Sequence, residues 1–307
     1  VIMKNKNYTD TEIRTKVRIV LTGGGTAGHV IPHVSLMPLM KKYNWDIHYI
    51  GSSGIEKKII SDEDHSIPYY EISTGKLRRY FSWENFKDLF KVIWGVFQSL
   101  FFLRRIRPQV IFSKGGYVSV PVCVGAWLLR IPVVTHESDV TPGLANRIIT
   151  MFARKVFYSF PETRKYLEKY SKDIVLMGIP IRDQLSNGNR DRLISNIGFQ
   201  KEGRPTILII GGSLGSKRIN LLVRQNLDDL LKTFQVIHIT GQGNIDRNIQ
   251  HQYYFQTEFV SKGLEDYLDS ADLVVSRSGA NTIFELLYLD KSMLLIPLKK
   301  GSRGDQI

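Results

Sequence analysis

The sequence predicts an α/β protein of two doubly wound domains, each a parallel sheet covered by helices on both faces, with a cleft between them. Three observations predict it. Short apolar runs alternate with helical segments through both halves of the chain. Glycine-bearing turns follow three of these runs: Gly23–His29 after Val17–Leu21, Gly211–Ser216 after Ile207–Ile210, and Ser276–Thr282 after Leu273–Val275. The first two turns lie about 190 residues apart, the separation of one domain from the next. Each turn reads as strand, turn, helix start, and a helix N-terminus with unpaired backbone N–H groups attracts anions. Two such edges facing each other suit a phosphate-bearing nucleotide.

Residues 1–16 are polar and charged, lack the apolar core of a secretory peptide, and read as a flexible tail. Val17–Leu21 then reads as a strand and Ile31–Tyr43 as a helix, with Pro32 in its first turn where a missing N–H costs little. Strands follow at Asp46–Ile50, Tyr69–Ile72, Val110–Phe112 and Val133–His136, and Val156–Tyr158 closes this half. The intervening helices are Glu56–Ser61, a long stretch over Trp83–Arg105, Val120–Leu129 and Leu144–Phe152. The β-α-β rhythm implies a parallel sheet buried on both faces. Gly178–Arg182 reads as the hinge between a domain over 17–177 and a second over 178–307, and Asn187–Arg192 as a polar loop. The pattern restarts at Ile207–Ile210 and continues with Gln235–Ile239, Tyr254–Glu258, Leu273–Val275 and Met293–Ile296. Gly301–Ile307 follows a strand directly, where a doubly wound domain needs another helix, so the second domain is expected to be incomplete.

Composition bounds the rest. With 307 residues, 43% of them hydrophobic, the chain can bury the cores of two ordinary domains. Its single cysteine, Cys123, excludes an intrachain disulfide and a cysteine metal site, and its apolar setting marks a structural thiol. A net charge of +13 favours anionic partners. No uncharged apolar stretch reaches the roughly 18 residues of a spanning helix.

The candidate chemistry gathers at the strand ends. Gly23–Gly28 fits G-x-G-x-x-G, but the second strand ends Tyr49-Ile50-Gly51-Ser52-Ser53 with no acid for a ribose before Glu56. That counts against a nicotinamide-dependent oxidoreductase. His29 follows the last glycine at an expected helix N-terminus, which favours a neutral imidazole able to accept a proton; it is either a general base or a structural histidine. His136-Glu137-Ser138-Asp139 ends a strand at the edge where open α/β sheets bind ligands, and serves there as reacting groups or as a polar cap. In the second half, Ser213 and the amides of Leu214 and Gly215 can cradle a diphosphate, with Arg182 reaching the same phosphates or the base. Glu285, one helical turn after Asn281, can accept both hydroxyls of a ribose or pair along its helix. Asp62-Glu63-Asp64 spells a D-x-D metal pattern but falls in a charged turn, so no metal is expected.

From Lys76 to Arg107, aromatics interleave with basic residues. Phe86, Phe90, Trp94, Phe97 and Phe101 share one helical face, either core or an interfacial membrane surface; the further Phe81, Trp83 and Phe102 and the flanking Arg78 and Arg79 favour the membrane. No nucleic-acid motif accompanies the charge.

Taken together, Gly24–His29, Lys114–Ser119, Pro132–Glu137, Gly178–Arg182, Gly211–Ser213, Arg277–Ala280 and Asp305-Gln306 make the chain resemble the MurG family, from about Val17 to Ile307. Ser73–Arg79 and His136–Asp139 resemble the Gram-positive variant. The resemblance implies a GT-B fold and inverting transfer of GlcNAc from UDP-GlcNAc to the C4 hydroxyl of the muramyl sugar of lipid I, giving lipid II. A related glycolipid transferase and an inactive nucleotide-binding fragment are the alternatives. It implies donor contacts from Arg182, Ser213, Val260, Ala280, Asn281, Thr282, Glu285 and Gln306, with Glu285 on the ribose. It places Thr26, Ala27, Gly28, Tyr117 and Asp139 near the acceptor and His29 and Glu137 at the reacting centre. Arg78, Arg79, Phe81, Trp83, Phe86, Phe90 and Trp94 would dock on an anionic lipid surface, at the cytoplasmic face of the bacterial membrane. No cofactor is implied, because amides and helix ends can stabilise the leaving diphosphate. Three departures stand out: Ala27 where glycine is commoner, Asp139 in place of an asparagine that can donate, and a family length that continues past Ile307.

Overall fold

The computed structural model describes residues 16–75, 83–199, 203–212, 215–260 and 262–298, with backbone only at 83–87. Expectations for the tail, for Arg78, Arg79, Phe81, Ser213 and Gln306, and for the side chains of Trp83 and Phe86 lie outside the described residues.

Seven strands form the first sheet: β1 (Arg18–Gly23), β2 (Asp46–Gly51), β3 (Tyr69–Glu71), β4 (Val110–Gly115), β5 (Val133–Glu137), β6 (Lys155–Tyr158) and β7 (Ile174–Leu176). Their order is β3-β2-β1-β4-β5-β6-β7, and every pairing is parallel. The helices are α1 (Ile31–Lys42), α2 (Ile55–Glu63), α3 (Trp83–Ile106), α4 (Ser119–Leu128), α5 (Leu144–Phe152) and the short α6 (Arg164–Leu167). After α7 (Arg190–Asn196), the second sheet runs β10-β9-β8-β11-β12, also parallel throughout. It comprises β8 (Thr206–Ile210), β9 (Gln235–Ile239), β10 (Tyr254–Thr257), β11 (Leu273–Arg277) and β12 (Ser292–Ile296). Its helices are α8 (Lys217–Gln225), α9 (Leu227–Thr233), α10 (Leu264–Ser270) and α11 (Ala280–Tyr288).

The apolar runs are continuous because successive strand residues feed opposite cores. On β1, Ile19 and Leu21 pack with Val34, Met37 and Met40 of α1, while Val20 faces Leu103 of α3 and Val122 and Cys123 of α4. On β8, Ile207 and Ile209 pack with Ile219 and Val223 of α8, while Leu208 faces Leu268 of α10 and Leu286 of α11. Strand order reverses between β1 and β4 and between β8 and β11. The turns after β1, β4, β8 and β11 therefore open at the two switch points, where such sheets hold ligands.

Three local expectations change. The first sheet does not close at β6: Ile174–Leu176 adds a seventh strand, a short edge that its few half-exposed residues barely announce. Asn187–Arg192 is a loop only at Gly188 and Asn189, with a 3-10 turn ending before it and α7 beginning at Arg190. Asn189 caps α7 by accepting the Arg192 N–H at 2.8 Å, and the charged residues are held by α10 and the following chain, Arg192 on Asp266 at 2.6 Å and Arg190 on Asp272 at 3.2 Å. Asp62 and Glu63 end α2, and Asp64 pairs with Lys41 at 2.5 Å. Among the described residues no cluster of His, Cys, Asp or Glu is arranged to hold a metal.

Helix α3 settles what its aromatic face does. Ser99, Leu103 and Ile106 are buried against the sheet and α4, whereas Phe90, Trp94, Phe97 and Phe101 are each about 60% exposed. The stripe faces solvent, so it is no part of the core. No helix among the described residues is long and apolar enough to cross a membrane. Leu103→Ala should cost about 2–5 kcal/mol in urea unfolding, while Phe97→Ser on the outer face should change stability by about 0.5 kcal/mol or less.

Candidate active site

The first glycine turn is built around a carboxylate that enters from α2. Glu56 is fully buried. Its Oε2 accepts the Gly25 N–H at 3.2 Å; its Oε1 accepts the Ser52 N–H at 3.1 Å and the Ser52 hydroxyl. The turn's own amide is thus satisfied within the protein, and the phosphate cradle expected at Gly23–Gly28 is in part already filled. Gly25 has φ +82, and a Cβ there would lie 2.6 Å from the Tyr117 ring, so glycine is required on both counts.

His29 does not start α1. It ends a 3-10 turn, Ala27–His29, and α1 begins at Ile31. Its Nδ1 lies 2.9 Å from the Gly24 carbonyl and 3.3 Å from the Thr26 hydroxyl. A carbonyl only accepts, so Nδ1 carries the proton, and in the neutral ring Nε2 holds the lone pair that base chemistry needs. The ring is half-buried at the cleft edge, and Gly28 beside it is exposed.

The turn after β4 and the end of β5 form a buried polar layer behind His29. Asn146 of α5 accepts the Gly116 N–H at 3.0 Å and donates to Glu137 Oε2 at 2.7 Å. Glu137 Oε1 accepts the Asp139 N–H at 2.9 Å. Burial raises the Glu137 pKa, and the Asp139 charge adds to that. Lys114 at the end of β4 donates to Ser138; burial lowers its pKa, against the pull of Glu137 and Asp139. His136 bonds the Ser159 hydroxyl at 3.2 Å, and burial, then Lys114, keeps its pKa low. Glu137 is thus held from two sides and almost fully buried, whereas His29 reaches the cleft.

Across the cleft, Arg182 and Glu285 meet at 3.3 Å. Burial raises the Glu285 pKa and Arg182 opposes the shift. Arg277 ties the turn after β8 to the neighbouring strand: Nη2 donates to Ser216 at 2.6 Å, and Nη1 to the carbonyls of Ile296 and Pro297 at 3.3 Å. Ser216 in turn caps α8 by accepting the Ile219 N–H. Val260 packs half-buried against the core under β9 and α10. Ala280, Asn281 and Thr282 form the first turn of α11, and the Asn281 amide donates to the Gly28 carbonyl at 3.3 Å. That bond, with Phe160 and Phe284 at 5.6 Å, joins the two domains.

The structure therefore brings Thr26, Ala27, Gly28, His29, Tyr117 and Asn281 to one cleft edge, with Glu137 one layer deeper, Asp139 half-buried beside it, and Arg182 with Glu285 on the facing domain. Sequence reading did not find Glu56, Asn146 or Arg277 as site residues. Glu56 carried a signal, as the first acid after the second strand; Arg277 carried none beyond its place in a motif, and Asn146 none beyond its place in a helix.

Two parallel doubly wound sheets with facing switch points define a GT-B protein. Solved structures agree: Acinetobacter baumannii MurG superposes with a TM-score of 0.70 at 23% identity, over 95% of this chain and 81% of that one. A Neisseria meningitidis UDP-GlcNAc 2-epimerase bound to UDP-GlcNAc gives 0.65 at 13% identity, over 92% and 82%. The fold therefore serves more than one chemistry. Residues 19–158 match the glycosyltransferase family 28 N-terminal domain and 206–307 its C-terminal domain. A UDP-N-acetylglucosamine–N-acetylmuramyl-(pentapeptide) pyrophosphoryl-undecaprenol N-acetylglucosamine transferase of Bacillus thuringiensis (strain Al Hakam) is 52% identical over 293 residues, 94% of this chain and 82% of that protein. A Clostridium tetani transferase of the same description is 50% identical, over 95% and 81%. The chain belongs to glycosyltransferase family 28, in its MurG branch.

Glu56→Ala would remove the acceptor that the part-buried Gly25 and Ser52 N–H groups share and leave a gap where the buried Glu56 side chain lies. It should cost about 1–3 kcal/mol in urea unfolding, and Glu56→Gln, which keeps one acceptor oxygen, should cost less.

Proposed function

We propose that the chain is a hexosyltransferase that moves GlcNAc from UDP-GlcNAc to the C4 hydroxyl of the muramyl sugar of lipid I, giving lipid II. The observation that carries this is the identity of about half the residues to transferases of that description, over 94% of the chain. The fold is consistent with it, because the turns of two facing switch points converge where a sugar would pass between substrates.

In this reading the second domain holds the donor. Glu285 accepts the ribose hydroxyls, exchanging its bond to Arg182 for them, and Arg182 turns to the diphosphate. The Arg182 Nε is buried without a partner among the described residues, which supports such a role. Ser213, Val260, Ala280 to Thr282 and Gln306 complete the donor contacts. The first domain holds the acceptor at Thr26–Gly28, Tyr117 and Asp139. His29 is the base: its Nε2 lone pair takes the C4 hydroxyl proton as the oxygen attacks the anomeric carbon and UDP leaves. Glu137, held by Asn146 and the Asp139 amide, serves from behind rather than by direct attack on the proton. Amides and helix ends around the turn after β8 stabilise the departing diphosphate, a role that asks no metal of the protein.

The exposed stripe of α3, followed by Arg104, Arg105 and Arg107, suits peripheral attachment to an acidic membrane surface, where lipid I would lie.

Calorimetry with UDP-GlcNAc should give saturable binding that Glu285→Ala weakens, with no heat from NADH; binding of NADH alone would overturn the transferase reading. His29→Ala should lower kcat by about a hundredfold or more with little change in donor affinity. Trp94→Ser with Phe97→Ser should reduce co-sedimentation with vesicles containing phosphatidylglycerol and leave the thermal midpoint nearly unchanged.

A further inference from the structure

Lys114 is 1% exposed, yet it carries an ammonium group. A buried cation must find its compensation inside the protein. Its Nζ donates to the Ser138 hydroxyl, and the charges acting on it in its favour are Glu137 and Asp139. On its other flanks lie His33 of α1 and His136 of β5, whose pKa values burial and this same cation hold low. The ammonium thus has carboxylates to compensate it and neutral imidazoles beside it.

The bonds of Glu137 suit an anion. An anionic carboxylate can only accept, so Asn146 must turn its NH2 toward Glu137 and its oxygen toward the Gly116 N–H. A neutral Glu137 could donate instead, Asn146 could turn over, and the Gly116 N–H would face a donor. Gly116 forms the wall behind the base: its φ is +82, and a Cβ there would lie 2.9 Å from His29 Nδ1.

We propose that Lys114 is a positioning residue of the transfer reaction: anchored on Ser138, its ammonium keeps Glu137 an anion, so that Asn146 holds the Gly115–Gly116 turn against His29. This rests on the reading of the site given under the previous heading. Burial by itself would favour neutral Glu137 and neutral Lys114; against it stand the Asp139 N–H bond and then the Lys114 charge on Glu137, and the Glu137 and Asp139 charges on Lys114. The groups facing Glu137 are Lys114 from β4, Asp139 from its own loop and Asn146 from α5, and of these Lys114 alone favours the anion by charge.

The test is the pH profile of kcat/KM for GlcNAc transfer to a lipid I analogue. Lys114→Met should lose activity at neutral pH and recover toward wild type in alkali, its acid limb moving up by about one to three pH units. Lys114→Arg should leave the limb in place, and in a Glu137→Gln background Lys114→Met should move nothing further. Ser138→Ala, which removes the anchor but not the charge, covers the case in which Lys114→Met fails to fold; it should move the limb the same way by less. A Lys114→Met profile parallel to wild type at every pH, or an unmoved limb in well-folded Ser138→Ala, overturns the proposal. If the wild-type chain transfers no GlcNAc, it is the function reading that fails. The 13C titration of the Glu137 carboxyl in wild type and Lys114→Met then decides the role of Lys114: an upward move upholds the pairing, and no move removes it.

Discussion

The first domain's side of the cleft depends on one buried carboxylate. Glu56 enters beneath the turn after β1 and takes the N–H groups of Gly25 and Ser52. That fixes the Gly24 carbonyl, which fixes the His29 ring, and it lets Tyr117 lie against Gly25. An anion from the protein thus partly occupies the place where a dinucleotide-binding domain would present amides to its ligand. The first glycine turn becomes a support for a side chain. In the other domain Arg277 and Ser216 brace the corresponding turn from the flank.

A charge pattern repeats on the two sides of the cleft. Glu137 and Glu285 are both carboxylates whose pKa values burial raises, and each is offset by one cation, Lys114 or Arg182. Desolvating an isolated charge costs far more than desolvating a matched pair. Each half can therefore keep an ionised carboxylate out of water and still fold. The pairs differ in setting: Arg182 and Glu285 are partly exposed, whereas Lys114 and Glu137 are sealed in.

The sheets were legible because Ile and Val runs buried on both faces leave a continuous apolar signature, and Ile19, Val20 and Leu21 show why: neighbours serve opposite cores. The edge strand Ile174–Leu176 and the capped helix after Asn189 were not legible. The strand has only three residues, and the helix hides a small buried pair, Leu193 and Ile194, among ion-paired charges. At the site, His29 and Glu137 could be read from their places after strands, but their depth could not. Glu56 and Asn146 act across 31 and 30 residues of chain, on backbone groups that leave no mark in a sequence. The exposure of the α3 stripe was likewise beyond periodicity, since a helix shows the same spacing whether its aromatic face meets a core or solvent.

The order of strands in the first sheet has a consequence in time. β1 is an inner strand, but its second neighbour, β4, comes only after β2, β3 and the long α3. At the pace of synthesis, about 5–20 residues per second, the edge of β1 that awaits β4 stays open for about 5–20 seconds after β1 has emerged. An unpaired, apolar edge is a template for wrong partners. The nascent first domain thus spends its most vulnerable interval before the turn that carries Gly115 and Gly116 exists.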